Sequence, residues 1–393
     1  LSYLELLRKE AFYCVRCRHG TLSYHLFLPL CPSYDKFKFE GYSCRGRMEL
    51  AQGILQGSLK YTPQMVESLY KCTACGACEV QCEESSAGRD FVKVMEAMRA
   101  DAVEMGIGPM AKHRLLGRSI VENHNPYGEP YEKRSQWIPR NAEVSNKADL
   151  IYFVGCTARY RQQEIAQAQL RILNAVGVKV AVMDEEWCCG SPLFRIGQPR
   201  NAEQVARHNV EAIERMEARK VVTACAGCIK TIKEDYPGFV GKLNFEVVHS
   251  SELLRDLMVE GRLDFKKPIE KALTYHDPCH LGRALGIYDP PRDVLAGIPG
   301  LRLVEMERRG KASWCCGAGG GVKSAFPDWA VEVATARLND AREAGVDVVA
   351  SACPFCKRNL MDAVKVVGGG IEVYDMVELV EEAMDVRTAG GGG

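Results

Sequence analysis

The apolar positions change texture at about residue 149. Leu150-Ile-Tyr-Phe-Val154 is a continuous apolar run that ends at Gly155-Cys156. A helical period follows through Ile165, Ala168, Ile172 and Val176, then a second run, Val178-Lys-Val-Ala-Val182. A helix over roughly 201–218 leads to a third strand at Val221-Val222-Thr223. A further helix precedes a fourth strand, Phe245-Glu-Val-Val248, which runs into Ser251-Glu-Leu-Leu254. Strands apolar on both faces, alternating with helices, predict a parallel sheet covered on both sides.

The same order then repeats. Ala272-Leu-Thr-Tyr275 runs to Cys279, Leu301-Arg-Leu-Val304 precedes Cys315-Cys316, and Val346-Asp-Val-Val349 runs to Cys353. Ile371-Glu-Val-Tyr374 leads into Met376-Val-Glu-Leu379, matching the earlier strand-into-helix. The chain therefore carries an internal duplication. In each half the cysteines fall at the carboxyl ends of successive strands, where open α/β sheets bind ligands.

Upstream the pattern is helical. Leu4, Leu6 and Leu7 start a short helix, and Phe91, Val94, Met95, Met98, Ala102 and Met105 share one face over 91–105, a stripe expected to be core. Asn125-Pro-Tyr-Gly-Glu-Pro130 is not helical, so 123–148 reads as a linker. The expected organisation is α+β and multidomain: an α-helical ferredoxin-like domain over 1–122, the linker, and α/β domains over 149–265 and 266–387. A flexible tail over 388–393 closes it.

Composition narrows the function. Lysine plus arginine equals aspartate plus glutamate, 51 against 51, so no net field attracts nucleic acid or an anionic membrane. No apolar run approaches the roughly 18 residues of a spanning helix. Leu26-Phe-Leu-Pro-Leu30 is too short, and no secretory or twin-arginine signal is visible; the first residue is Leu, not Met. The 18 cysteines are grouped as C-x2-C and C-C, which in a long chain is metal usage in a reducing, cytoplasmic compartment.

Cys156, Cys188-Cys189-Gly190 and Cys225-Ala-Gly-Cys228 form C-x31-C-C-x35-C-x2-C. Cys279, Cys315-Cys316-Gly317 and Cys353-Pro-Phe-Cys356 form C-x35-C-C-x36-C-x2-C. A Cys-Cys-Gly turn makes a poor core but a good soft-metal site, with Gly317 expected to let the backbone come close to it. Cys72, Cys75, Cys78 and Cys82 follow the C-x2-C-x2-C-x3-C spacing of ferredoxin cubanes, whose fourth cysteine serves the other cluster. Cys31, followed by Pro32, is then expected beside Cys72, Cys75 and Cys78, with Cys82 beside Cys14 and Cys17. The first group is irregular: its third cysteine position is Gly20. Cys44 is the remaining nearby cysteine and the expected replacement; His19 or His25 is the alternative.

With those motifs, the chain resembles the Cys-Cys-Gly-domain iron–sulfur proteins, most closely the family of the heterodisulfide reductase D subunit. Asn125-Pro-Tyr-Gly128 and His276-Asp-Pro-Cys-His-Leu-Gly282 add to the likeness, and Ser43-Cys-Arg-Gly-Arg47 is similar to the iron–sulfur subunits of glycolate and lactate oxidases. The resemblance implies two cubane [4Fe-4S] clusters leading electrons in and a non-cubane [4Fe-4S] cluster on each five-cysteine motif. A small disulfide is cleaved between those two. His276 and His280 are candidates for proton delivery or for hydrogen bonds to sulfur. Lys230, Lys323 and Arg283 are candidates for clamping an anionic substrate. Implied partners are a membrane cytochrome b-type subunit, giving membrane association, or a soluble donor. An electron-transfer subunit of a benzoyl-CoA reductase-type or quinol-linked complex fits the same ligands, as does, more distantly, an iron–sulfur subunit of a 2-hydroxy-acid or glycerol-3-phosphate dehydrogenase.

Overall fold

The computed structural model describes residues 2–14, 19–23, 26–82 and 90–386. Its second part holds two four-stranded sheets. The first uses β1 (Leu150–Tyr152), β2 (Val180–Val182), β3 (Lys220–Thr223) and β4 (Glu246–His249), in the order β2-β1-β3-β4. The other uses β5 (Ala272–His276), β6 (Arg302–Leu303), β7 (Val348–Ser351) and β8 (Glu372–Asp375), in the order β6-β5-β7-β8. All pairings are parallel, with Leu150 beside both Val180 and Lys220, and Thr274 beside Val349. The sequence pattern fits this arrangement, because strands such as Leu150–Tyr152 and Val348–Ser351 are buried on both faces.

The two halves exchange helices. Ser250–Val259, after β4, packs on Asp289–Gly297 of the second half, and Met376–Met384, after β8, packs on Gln163–Ala175 of the first. Arg171 and Glu381 pair across that second contact. Apolar residues of both halves, including Leu173, Leu254, Leu295 and Leu379, share one core. Both exchanged helices start with a capping box, His249 with Glu252 and Asp375 with Glu378.

The N-terminal part is helical. Cys44–Leu55, Pro63–Tyr70 and Phe91–Glu104 enclose a core of Leu4, Met48, Leu69, Phe91, Val94, Met95 and Met98. Met105 departs from the expected stripe: the helix ends at Glu104, and Met105, its C-cap, is 59% exposed. The 123–148 segment forms an Asn125 turn, whose carboxamide bonds Asn123, Tyr127 and Glu129 backbone groups. It also buries Trp137 edge-on against Tyr152. No helix of the described residues is long and apolar enough to cross a membrane.

Arg99 joins the three parts. Its fully buried guanidinium donates to the carbonyls of Leu69 and Cys72 (2.5 and 2.8 Å), Arg195 (2.5 Å) and Gly320 (3.0 Å). Around it, Tyr70 donates to the Ile196 carbonyl at 2.9 Å, and Arg195 pairs with Glu96 and Asp235 at 2.6 and 2.7 Å. Backbone meets backbone here: a Cβ on Gly320 would lie 2.3 Å from the Cys72 carbonyl oxygen.

Gly320→Ala is therefore expected to lower the melting temperature of the holoprotein more than Gly177→Ala. Both residues have positive φ, which costs an L-residue about 1–2 kcal/mol, but a Cβ on Gly177 meets nothing within 4 Å. Equal losses would contradict the close docking.

Candidate metal centres

The strand ends deliver the sulfurs. Cys156 opens the helix after β1, Cys188 and Cys189 follow β2, and Cys225 caps the helix Ala226–Lys230 after β3. Gly155 has φ +74°, and a Cβ there would sit 2.9 Å from the Cys228 sulfur, so a side chain is excluded. The buried Glu186 carboxylate accepts from the Val154 and Gly155 amides (2.8 and 2.9 Å) and pairs with Arg159 at 3.0 Å. Asn209 donates to the Cys188 carbonyl at 3.1 Å, and the Tyr236 hydroxyl to that of Cys189 at 2.9 Å.

The second motif is built alike. Cys279 follows β5, Cys315 and Cys316 follow β6, and Cys353 and Cys356 flank the start of the helix Pro354–Val366. Asn359 donates to the Cys316 carbonyl at 2.6 Å, the counterpart of Asn209. Gly317, whose amide donates to the Cys315 sulfur at 3.3 Å, also meets a steric need. Its φ is +84°, and a Cβ would lie 2.4 Å from the Ala330 carbonyl oxygen, so its bareness admits the helix Pro327–Glu343.

The thiols form a nearly continuous succession. Cys225 and Cys353 each perturb the other's thiol, so the sulfurs of the two motifs approach one another here. Cys75 is in contact with Cys315, which joins the second motif to the N-terminal domain. Cys31, Cys44, Cys72, Cys75 and Cys78 line one cavity with Gly20, above the buried Arg47. Burial pushes the Cys31 thiol up to about 11. Cys44 contacts Cys78, and Cys14 and Cys82 pack against the same apolar cluster. A Cβ on Gly20 would lie 3.6 Å from the Cys44 Cβ and 2.9 Å from that of Cys78. Cys17, His25 and the His19 side chain lie outside the described residues.

The two singled-out histidines differ. Arg337 donates from Nε to His276 Nδ1 at 3.2 Å. That leaves the imidazole proton on Nε2, which is buried and has no hydrogen-bond partner among the described residues. A ring nitrogen of His276 and the sulfurs of Cys316 and Cys356 lie within 4.8 Å of one another. A protonated Nε2 can donate to sulfur but cannot ligate a metal. His280 reaches from the second half to the first, its Nδ1 3.9 Å from where a Gly227 Cβ would be. Burial, then the cations Arg195 and Lys230, hold it down to about 3, so it is neutral. The three singled-out cations are engaged: Lys230 with Asp235 at 2.5 Å, Lys323 with Asn359 and Asp362 at 2.6 and 2.7 Å, and Arg283 with backbone carbonyls.

This donor set fits iron–sulfur groups. All described cysteines are free. Contact with Cys156 pushes the Cys188 thiol well up; Cys188 does the same to Cys189, Cys189 to Cys228, and Cys279 to Cys315. Crowded buried thiols cannot ionise together without a cationic centre, and a soft one suits sulfur. Sequence reasoning missed Arg99, Arg337, Asn209, Asn359 and Glu186, since nothing in the local pattern distinguishes them from surface polar residues.

The geometry has counterparts among known proteins. A family model described as a cysteine-rich domain (CCG) matches residues 150–233 and 273–361, and one for a 4Fe-4S dicluster domain matches 10–86. The chain is 45% identical, over 99% of its length and 97% of the relative, to the D subunit of dihydromethanophenazine:CoB–CoM heterodisulfide reductase from Methanosarcina barkeri. It is 43% identical to that of Methanosarcina mazei, over 90% of this chain and 87% of the relative. The B subunit of fumarate reductase (CoM/CoB) from Methanothermobacter marburgensis is 36% identical, over 81% of this chain and 62% of the relative. With its [4Fe-4S]-type N-terminal domain and duplicated cysteine-rich domains, the chain belongs to the heterodisulfide reductase D-subunit family of iron–sulfur oxidoreductases.

Proposed function

We propose that the chain reduces a small disulfide, the mixed disulfide of coenzymes M and B named for its relatives, in the cleft between its two five-cysteine motifs. The observation that carries this reading is the contact of Cys225 with Cys353, which brings two separate sulfur sets to one place. In this reading Cys156, Cys188, Cys189, Cys225 and Cys228 hold one non-cubane cluster. Cys279, Cys315, Cys316, Cys353 and Cys356 hold the other. Iron–sulfur clusters, when bound, supply single electrons and soft iron sites for sulfur.

The chain's own residues do the rest. Cleaving a disulfide to two thiols takes two electrons and two protons. The succession Cys75, Cys315, Cys353, Cys225 sets the order of entry: N-terminal domain, second motif, then first. His276, its tautomer fixed by Arg337, keeps an Nε2–H free near the Cys316 and Cys356 sulfurs, where it would donate to sulfur of a bound cluster. Neutral His280 lies between the motifs near Cys225, in reach of a nascent thiolate. Cys31, Cys72, Cys75 and Cys78 hold one cubane; Cys14, Cys17, Cys44 and Cys82 hold the second, with Cys44 standing in for Gly20. Electrons come from a membrane cytochrome b-type subunit, which tethers this chain on the cytoplasmic side, or from a soluble donor protein. That relatives are named as subunits of reductases supports such a partner.

The anaerobic holoprotein, with reduced viologen as donor, is expected to release both thiols from the coenzyme M–coenzyme B disulfide, consuming two viologens for each disulfide. Cys225→Ala or Cys353→Ala is expected to abolish turnover. Reoxidation of the protein without thiol release would move the chain to a purely electron-transferring role.

Cys44→Ala is expected to lower iron content and to convert one cubane to a three-iron form, seen as a new oxidised-state EPR signal. Unchanged iron and unchanged EPR would remove Cys44 from the ligand set.

A further inference from the structure

We infer that Arg283 is the positioning charge of the electron bridge, setting the reduction potentials of the two clusters on either side of the Cys75–Cys315 contact. This rests on the iron–sulfur reading above and goes beyond it, since it assigns a residue that neither ligates nor meets the disulfide.

Arg283 stands on the short helix Gly282–Leu285, four positions beyond Cys279. Its Nε donates to the Cys75 carbonyl at 2.8 Å, and its Nη1 to those of Ser313 and Lys311 at 2.6 and 3.3 Å. One guanidinium thus ties Cys75 of the N-terminal domain to the turn Gly310–Ala312 that leads into Cys315. Burial opposes its charge, while the nearby sulfurs of Cys75, Cys279 and Cys315 favour it. Its Nη2 is shut off from solvent and has no hydrogen-bond partner among the described residues.

The charge is also uncompensated. Arg195, Arg337 and Lys357, all buried, each face a carboxylate. No ion pair of Arg283 occurs among the described residues; its side chain is partly exposed, but the shielded Nη2 edge carries charge with no counterion, which is costly. Thiolates and sulfide on both sides would provide the missing negative charge and an acceptor for Nη2. Hydrogen bonds and cations at sulfur favour the reduced, more negative cluster and so raise its potential. At the first motif Arg159, three positions beyond Cys156, is neutralised by Glu186 at 3.0 Å, and Arg358 lies over the ring of Tyr127, whose hydroxyl meets Thr157 beside Cys156.

The test is an EPR-monitored redox titration of anaerobic holoprotein, after iron analysis has established full loading of the wild type. Arg283→Gln, which keeps donors but loses charge, is expected to move the two flanking clusters to more negative potentials. The cluster on Cys156 to Cys228 and the one on Cys14 and Cys82 are expected to stay put. Arg283→Lys, which keeps the charge, is expected to stay close to wild type. A loaded Arg283→Gln protein with no shift, or with all clusters shifted alike, would overturn the inference. If Arg283→Gln fails to load, wild type grown with guanidino-15N arginine decides. Pulsed EPR of the reduced cluster is expected to show a nitrogen coupling that Arg283→Lys loses, and its absence in the wild type would equally overturn the assignment. A wild type without clusters would instead sink the iron–sulfur reading itself.

Discussion

The structure depends on how closely two backbones approach at the Cys-Cys-Gly turn of the second half. Gly319 and Gly320 lie against the carbonyls of Thr73 and Cys72, with no room for a Cβ on either glycine. Side chains cannot set so short a separation, because any side chain would prop the two domains apart. Electron transfer weakens steeply with distance, so this contact is where a few atoms of padding would matter most. Arg99 supports it from below by gathering carbonyls from all three parts of the chain, and Arg283 closes it from the side. Both arginines satisfy carbonyls that the docking would otherwise strand away from water.

The duplication gives the molecule two similar sulfur cradles, and the N-terminal domain makes them unequal. Both halves share a sheet order, a capping box after the last strand, and an asparagine that pins the first or second carbonyl of the cysteine pair. Among the described residues the second motif approaches a cysteine of the N-terminal domain, while the first is reached through Cys353 and Cys225. A symmetric pair of sites loaded from one end suits chemistry that needs two electrons delivered singly to two sulfurs of one bond.

Much of this was legible in the sequence, for a physical reason. Parallel strands buried on both faces leave continuous apolar runs, so Leu150–Tyr152 and Val348–Ser351 announce themselves. Soft-metal ligands announce themselves through spacing. What stayed hidden was pairing at long range. Gly317 reads as a glycine for a nearby metal group, and its bareness also admits a helix that begins ten positions later. Trp137 sits in a stretch with every mark of a linker and is fully buried against Tyr152. Met105 continues a helical stripe that the chain leaves one residue earlier. Arg283 reads as a candidate clamp for an anionic substrate and donates to carbonyls near three thiols. A residue's partner across two hundred positions leaves no periodic trace.

The central claim, that substrate sulfur reaches the cleft between the motifs, is tested most directly by EPR on the oxidised, anaerobically prepared protein with and without coenzyme M. The account predicts a new paramagnetic signal that broadens with iron-57 in the protein and with sulfur-33 in the thiol. Full cluster occupancy with no thiol-dependent signal would contradict it.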